Sequence, residues 1–360
     1  MIGLRATISR NHSEGLITRL MKCSRSKPKN CYSQMSDNLR SPVIHNVKIS
    51  LKTCRLRISS VLLLLTISLL SAYSMADLDS AVSSMEDASN PLMLMKTSKG
   101  DIYLELFPAA APRNTANFIA LAEGTAELIN PDTGDRVISH YYDGLSFHRV
   151  LPGYLIHAGA PLSSGRAVPD YRLVDEINAS QSGLNRIKAL DDSNKPHPWL
   201  NIRDKADFEK RILAPLYRRI NINDPLQLAE RQFEVVKLLR EMTLQQVWEN
   251  QGYVYNNTLP SRRPVRGTLI MASSGPNSIS TEFFIPVVDA PWLTGTSTVI
   301  GRIVEGIEVV DRIHQESASR LASPLSITTI YEIRQVAGDS VSAPVTARSN
   351  TAQLQQRRSL

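Results

Sequence analysis

The body of this chain contains no cysteine: Cys23, Cys31 and Cys54, its only three, all fall in the first 76 residues. A chain cut after residue 76 could therefore hold no disulfide framework, thiol nucleophile or thiolate metal site. Aromatic residues make up only 6% of the 360 positions. Acidic residues are nearly absent from residues 1–76, where Glu14 and Asp37 stand against twelve Lys and Arg. The remainder holds 29 basic and 32 acidic residues, so the formal charge of +7 belongs to the leading segment. A nucleic-acid-binding body is excluded on that ground. Hydrolase signatures are missing as well: there is no Gly-x-Ser-x-Gly elbow, His-Glu-x-x-His pair or convergent carboxylate pattern.

The leading segment reads as an export signal. A basic region ends at Arg57, Val61–Leu70 is apolar, and Ser74-Met75-Ala76 offers small residues at a cleavage position before Asp77. The apolar run is short for a membrane span. Its long basic approach leaves Met21 and Met35 as later start positions. An organelle transit peptide and an uncleaved anchor are the rival readings. The expected location is the periplasm or another exported compartment, with membrane attachment only through an uncleaved leader.

Beyond a polar lead-in at Asp77–Pro91, expected to be mobile, strands 92–97 and 101–106 around the turn-rich Ser98-Lys99-Gly100-Asp101 predict a hairpin, with Ile102, Leu104 and Leu106 on one face at period two. Pro112 opens a helix over 113–123 that Gly124 ends. Strands are predicted at 141–150, 154–158, 267–272, 282–288, 299–304 and 326–335, with a second helix at 307–314. Residues 179–266 break this rhythm. Helical spacing runs over 204–220, where Pro215 should kink it, and over 225–242, after an Asp224-Pro225 start. Thr243-Leu244-Gln245-Gln246 has the form of a capping box, opening a third helix closed by Gly252. Residues 336–360 are polar, free of aromatics and expected to be disordered.

Two stretches carry the functional reading: Ser146–Pro161 (SFHRVLPGYLIHAGAP) and Gly267–Ile285 (GTLIMASSGPNSISTEFFI), followed by Trp292-Leu293. Together they resemble the cyclophilin family of peptidyl-prolyl isomerases, over about 92–178 and 267–335. The resemblance implies a mainly β fold, an antiparallel β-barrel capped by two helices, with 179–266 as an α-helical insertion. It implies isomerisation of X–Pro bonds in folding exported chains, without cofactor or metal, by a monomer whose partners are proline-containing unfolded or extended polypeptides. The alternative is a proline-recognising or chaperone-like binding protein of weak isomerase activity.

By this resemblance Arg149 is the donor aimed at the prolyl nitrogen. Tyr154, Leu155, Phe284 and Leu293 wall the proline socket, and Trp292 stands at its edge; whether the chain is sensitive to cyclosporin stays open. Ala272 and Ser273 supply backbone to an extended substrate. The chain departs from the family pattern at His157 and Glu282, where Gln is usual, at Ser273 for Asn and at Ser297 for His. His157 and Glu282 are retained as substrate-binding positions. No metal is expected, because His140, His148, His157 and His197 show no ligand spacing.

Overall fold

The computed structural model describes residues 77–161, 165–318 and 328–339. All lie in the second of two units, Met1–Ala72 and Tyr73–Leu360. The leader signal and the tail beyond residue 339 fall outside the described residues; the start of the predicted 336–360 tail is ordered instead, Val336 and Ala337 ending the last strand and Asp339 N–H donating to the Ser89 carbonyl at 3.0 Å. Among those residues, no helix is long and apolar enough to cross a membrane.

Eight strands form one antiparallel sheet: β1 (Leu92–Thr97), β2 (Gly100–Leu106), β5 (Arg149–Leu151), β6 (Leu155–Ala158), β7 (Thr268–Met271), β8 (Phe283–Pro286), β9 (Val299–Glu305) and β10 (Ile330–Ala337). Their order is β10-β1-β2-β9-β7-β8-β6-β5. The sheet curls until its ends meet: Phe147 N–H donates to the Thr328 carbonyl at 3.0 Å, and Ile330 N–H to that of Leu145 at 2.7 Å. Such closure satisfies edge groups that would otherwise recruit other chains. Helices α2 (Pro112–Ala122) and α8 (Ile307–Ala318) contribute Phe118, Leu121, Val310 and Ile313 to the barrel core. The expected antiparallel barrel with two helices is present.

The few aromatics are concentrated where they pack. Phe118, Tyr142 and Phe283 meet within 5.0–5.5 Å between ring centroids, largely edge to face, and Phe147 joins at 6.4 Å. This burial explains why the strand predicted over 141–150 is not continuous. Tyr141 and Tyr142 turn inward, Gly144 takes φ +74°, and only Arg149–Leu151 is regular strand. A small hairpin, β3 (Glu127–Ile129) with β4 (Arg136–Ile138), was not anticipated, although its Asn130-Pro131-Asp132-Thr133-Gly134 turn is a legible signal.

The lead-in also departs from expectation. Leu78–Ser83 forms helix α1, and Glu105 on β2, with no exposed surface, fastens the residues that follow it. The Glu105 carboxylate accepts from the backbone N–H of Glu86 and Asp87, from Asn90 Nδ2 at 2.9 Å and from Arg302 Nε at 3.0 Å. Helix α2 has no side-chain cap of its own. Glu176 caps it from a distant loop, accepting from Arg113 N–H at 3.1 Å and Asn114 N–H at 3.0 Å.

Between β6 and β7 the chain builds a second apolar cluster, centred on Leu184, Leu200, Ile212, Leu216, Leu244, Val247 and Trp248. Its helices are α3 (Lys205–Phe208), α4 (Ala214–Arg219), α5 (Pro225–Glu230), α6 (Gln232–Glu241) and α7 (Leu244–Asn250). Pro215 does not break the first stretch; a π-helical turn, Glu209–Leu213, joins α3 to α4. Pro215 has no N–H for the Arg211 carbonyl. That carbonyl instead accepts from Gln251 Nε2 at 2.8 Å. The predicted 225–242 helix divides at Arg231, whose φ of −105° and ψ of 15° are not helical. The capping box at Thr243 and Gln246 forms. Asn178 ties the two ends of the excursion, its Nδ2 donating to the Leu259 carbonyl at 2.7 Å and its N–H to Ser261 Oγ at 2.7 Å.

Asp175, 4% exposed, is clamped to the Asn277 turn: its carboxylate accepts from Asn277 N–H at 2.7 Å. Burial pushes its carboxyl from the ordinary 3.8 up to about 6, against that hydrogen bond. The folded state thus holds this proton more tightly than the unfolded state. The group's favourable contribution is complete below about pH 4 and is lost as pH rises to about 6, on the order of 3 kcal/mol in all. The melting temperature of Asp175→Asn, relative to the parent, should therefore rise between pH 4 and pH 7. A flat difference would show that Asp175 does not titrate in this window.

Candidate functional site

Strand alternation builds the site on the outside of the barrel. Ile156 and Ala158 of β6, Phe283 and Ile285 of β8, and Leu269 and Met271 of β7 point into the core. Their neighbours must then face outward. Leu155, Phe284 and Ile270 do so, forming with Val299 a separate apolar cluster against which Leu151, Tyr154, Ala272 and Leu293 pack. The predicted wall residues Tyr154, Leu155, Phe284 and Leu293 are therefore brought together.

Trp292 and Leu293 lie on a 3₁₀ turn, Pro291–Leu293, and are partly buried. The Trp292 ring stands 5.6 Å from that of Tyr154 between centroids, and its Nε1–H donates to Tyr154 Oη at 3.3 Å. This contact holds the edge aromatic against the apolar patch. The turn Pro198–Leu200 from the helical segment packs on Pro291–Leu293, and Tyr255 Oη donates to the Gly295 carbonyl at 2.9 Å. The helices between β6 and β7 thus abut the rim that carries Trp292.

Arg149 pairs across β5 and β6 with His157, and His157 pairs across β6 and β8 with Phe284. Directly opposed residues share a face, so Arg149 stands on the same outer surface as the apolar cluster. It is exposed, and among the described residues it makes no ion pair. The arrangement is a permanently charged, forked donor beside an apolar patch.

Ala272 and Ser273 follow β7. The Ala272 N–H is already used within the sheet, donating to the Glu282 carbonyl at 2.8 Å, and Ser273 is exposed on the turn beyond. Gly159 keeps Glu282 close to β6: its φ is +90°, and a Cβ there would stand 2.5 Å from the Thr281 carbonyl oxygen.

Glu282 meets two imidazoles. Its Oε2 lies 3.0 Å from His157 Nε2 and 3.9 Å from His148 Nε2, while the two rings are 4.7 Å apart between centroids. The Glu282 carboxyl is held below its usual range by its polar contact with His157, then by the charges of His157, His148 and Arg172. Burial lowers the His148 imidazole, and the neighbouring His157 lowers it further. The spacing argument against a ligand cluster fails here. His148 and His157 are nine residues apart and Glu282 lies far along the chain, yet strand pairing brings their donor atoms within 4.8 Å. His148 was not predicted as a site residue. Its only signal was its place beside Arg149.

Comparison with known proteins follows this geometry. The family profile described as "Cyclophilin type peptidyl-prolyl cis-trans isomerase/CLD" matches residues 92–335. Peptidyl-prolyl cis-trans isomerase B of Streptomyces anulatus is 43% identical over 221 residues, covering 61% of this chain and 81% of that protein. Peptidyl-prolyl cis-trans isomerase A of Mycobacterium tuberculosis is 36% identical over 104 residues, covering 29% of this chain and 56% of that protein. A cyclophilin-type isomerase of Cryptosporidium parvum, solved in the presence of the dipeptide Ala-Pro, aligns at a TM-score of 0.38 and 18% identity. That alignment covers 69% of this chain and 99% of the other.

Proposed function

This chain belongs to the cyclophilin-type peptidyl-prolyl cis-trans isomerase family, and we propose that the apolar patch beside Arg149 on the outer face is where it turns X–Pro bonds. One observation carries this reading: an exposed guanidinium, with no ion-pair partner among the described residues, shares a face with Leu155, Phe284, Tyr154 and Leu293.

Amide resonance opposes rotation by roughly 18–20 kcal/mol. The cis and trans forms of an X–Pro bond differ little in energy, so the obstacle is kinetic. A catalyst must hold the twisted amide better than the planar one. Twisting returns a lone pair to the prolyl nitrogen, and Arg149 donates to it. The apolar cluster receives the pyrrolidine ring, with Trp292 closing its edge. The exposed turn at Ser273 and the carbonyl side of Ala272 line the path of the extended chain. No bond is made or broken in the rotation. Exchange spectroscopy on an Ala-Pro peptide with the full chain tests this directly: strong acceleration is expected, and none from a folded protein would overturn it.

The clients we propose are exported polypeptides during folding, since the leader has the pattern of an export signal. N-terminal sequencing of the exported protein should begin at Asp77; a chain retained with residues 1–76 intact would remove this part of the proposal. One observation favours a second reading, the holding of unfolded chains. Leu226, Phe233 and Val236 on α5 and α6 are 70%, 83% and 44% exposed, and the helical segment abuts the Trp292 rim.

A further inference from the structure

The rim of the outer face beside Arg149 brings three metal-donor side chains together. His148 and His157 each offer a ring nitrogen and Glu282 a carboxylate oxygen, all within 4.8 Å of one another. A tetrahedral ion about 2.0–2.2 Å from each donor would set those donors roughly 3.3–3.6 Å apart. The separations from Glu282 Oε2, 3.0 Å to His157 and 3.9 Å to His148, bracket that spacing. Among the described residues His157 Nε2 is buried with no partner in good hydrogen-bond geometry, although Glu282 Oε2 stands 3.0 Å away; their contact is close but poorly aligned. The side chains of His148 and Glu282 keep 22% and 42% of their surface exposed, which leaves room for both to close on an ion and for water to complete its shell.

We propose that His148, His157 and Glu282 bind one first-row divalent transition cation of the Zn²⁺ class, and that its binding slows the isomerase. Two imidazoles with one carboxylate suit Zn²⁺, Co²⁺, Ni²⁺ or Cu²⁺, whereas Ca²⁺ and Mg²⁺ take oxygen shells. The brake, which rests on the isomerase reading, comes from position. His157 is the cross-strand partner of Arg149, so a bound ion sets two positive charges beside the donor and occupies the rim that an extended substrate crosses. Arg149 and Arg172 act on the same cluster, and their charges keep affinity below that of a closed structural site.

Co²⁺ is the probe, titrated into the full chain with Cys23, Cys31 and Cys54 changed to serine so that no thiolate competes. Visible absorption reports its coordination. One Co²⁺ per chain is expected, displaced by Zn²⁺, with affinity falling at least about tenfold in each of His148→Ala, His157→Gln and Glu282→Gln. Circular dichroism checks that each variant is folded, and the three changes are independent should one of them fail. Titrations that are the same in the parent and the folded variants would overturn the site. The rate of Ala-Pro exchange is then measured with Zn²⁺ and again after a chelator. A reversible fall supports the brake, and an unchanged rate with the ion bound overturns it. Should the protein show no isomerase activity, the Co²⁺ titration still decides the site.

Discussion

Arg149→Ala should lower kcat/KM for Ala-Pro isomerisation by about 10²–10³-fold, the usual loss when a donor aimed at the transition state is removed. The fold should hardly notice. Arg149 is exposed and makes no ion pair among the described residues, and surface changes of that kind usually fall within about 0.5 kcal/mol. Arg149→Lys keeps the charge but loses the planar fork, so an intermediate rate is expected. Peptide exchange rates measured beside melting curves separate the two effects. An alanine variant with undiminished catalysis and an unchanged melting temperature would remove Arg149 from the mechanism.

Glu105→Ala should be the costliest single change outside the apolar core, destabilising the protein by about 3–5 kcal/mol. The carboxylate has no exposed surface, and deleting it strands the backbone N–H groups of Glu86 and Asp87 together with one side of the Arg302 guanidinium. An exposed ion pair such as Lys96–Glu332 should be worth only about 0–1 kcal/mol when broken. Urea denaturation gives the comparison. Hydrogen exchange supplies the local readout, because residues 78–90 should lose protection before the barrel does. An unchanged midpoint would mean that the lead-in segment adds nothing to stability.

Much of the barrel was legible because its signals are local. The Ser98–Asp101 turn signal located the β1–β2 hairpin, proline and glycine bounded α2, and Thr243 with Gln246 announced a capping box that forms. Failures arose where a distant group overrode a local signal. The lead-in looked mobile because the carboxylate that holds it lies on β2. Pro215 announced the disturbance now seen as a π-helical turn, but not that the chain would stay helical through it, because the partner of the freed Arg211 carbonyl, Gln251, is 40 residues away. The strand predicted over 141–150 gave way because two tyrosine rings were needed in the core.

The amino-acid sequence by itself determined the type of fold, the family and the apolar and cationic residues of the outer-face patch, because each is written in neighbouring residues and short motifs. Only the tertiary structure decided what those residues face. Pairing β5 with β6 and β6 with β8 sets Arg149, His157 and Phe284 in a row, and the close approach at Gly159 seats Glu282 between two imidazoles. The reason is physical. Alternation along a strand assigns a side chain to a face, but its neighbours on that face come from the register between strands, which sets donor atoms ångströms apart from residues more than a hundred positions distant in the chain.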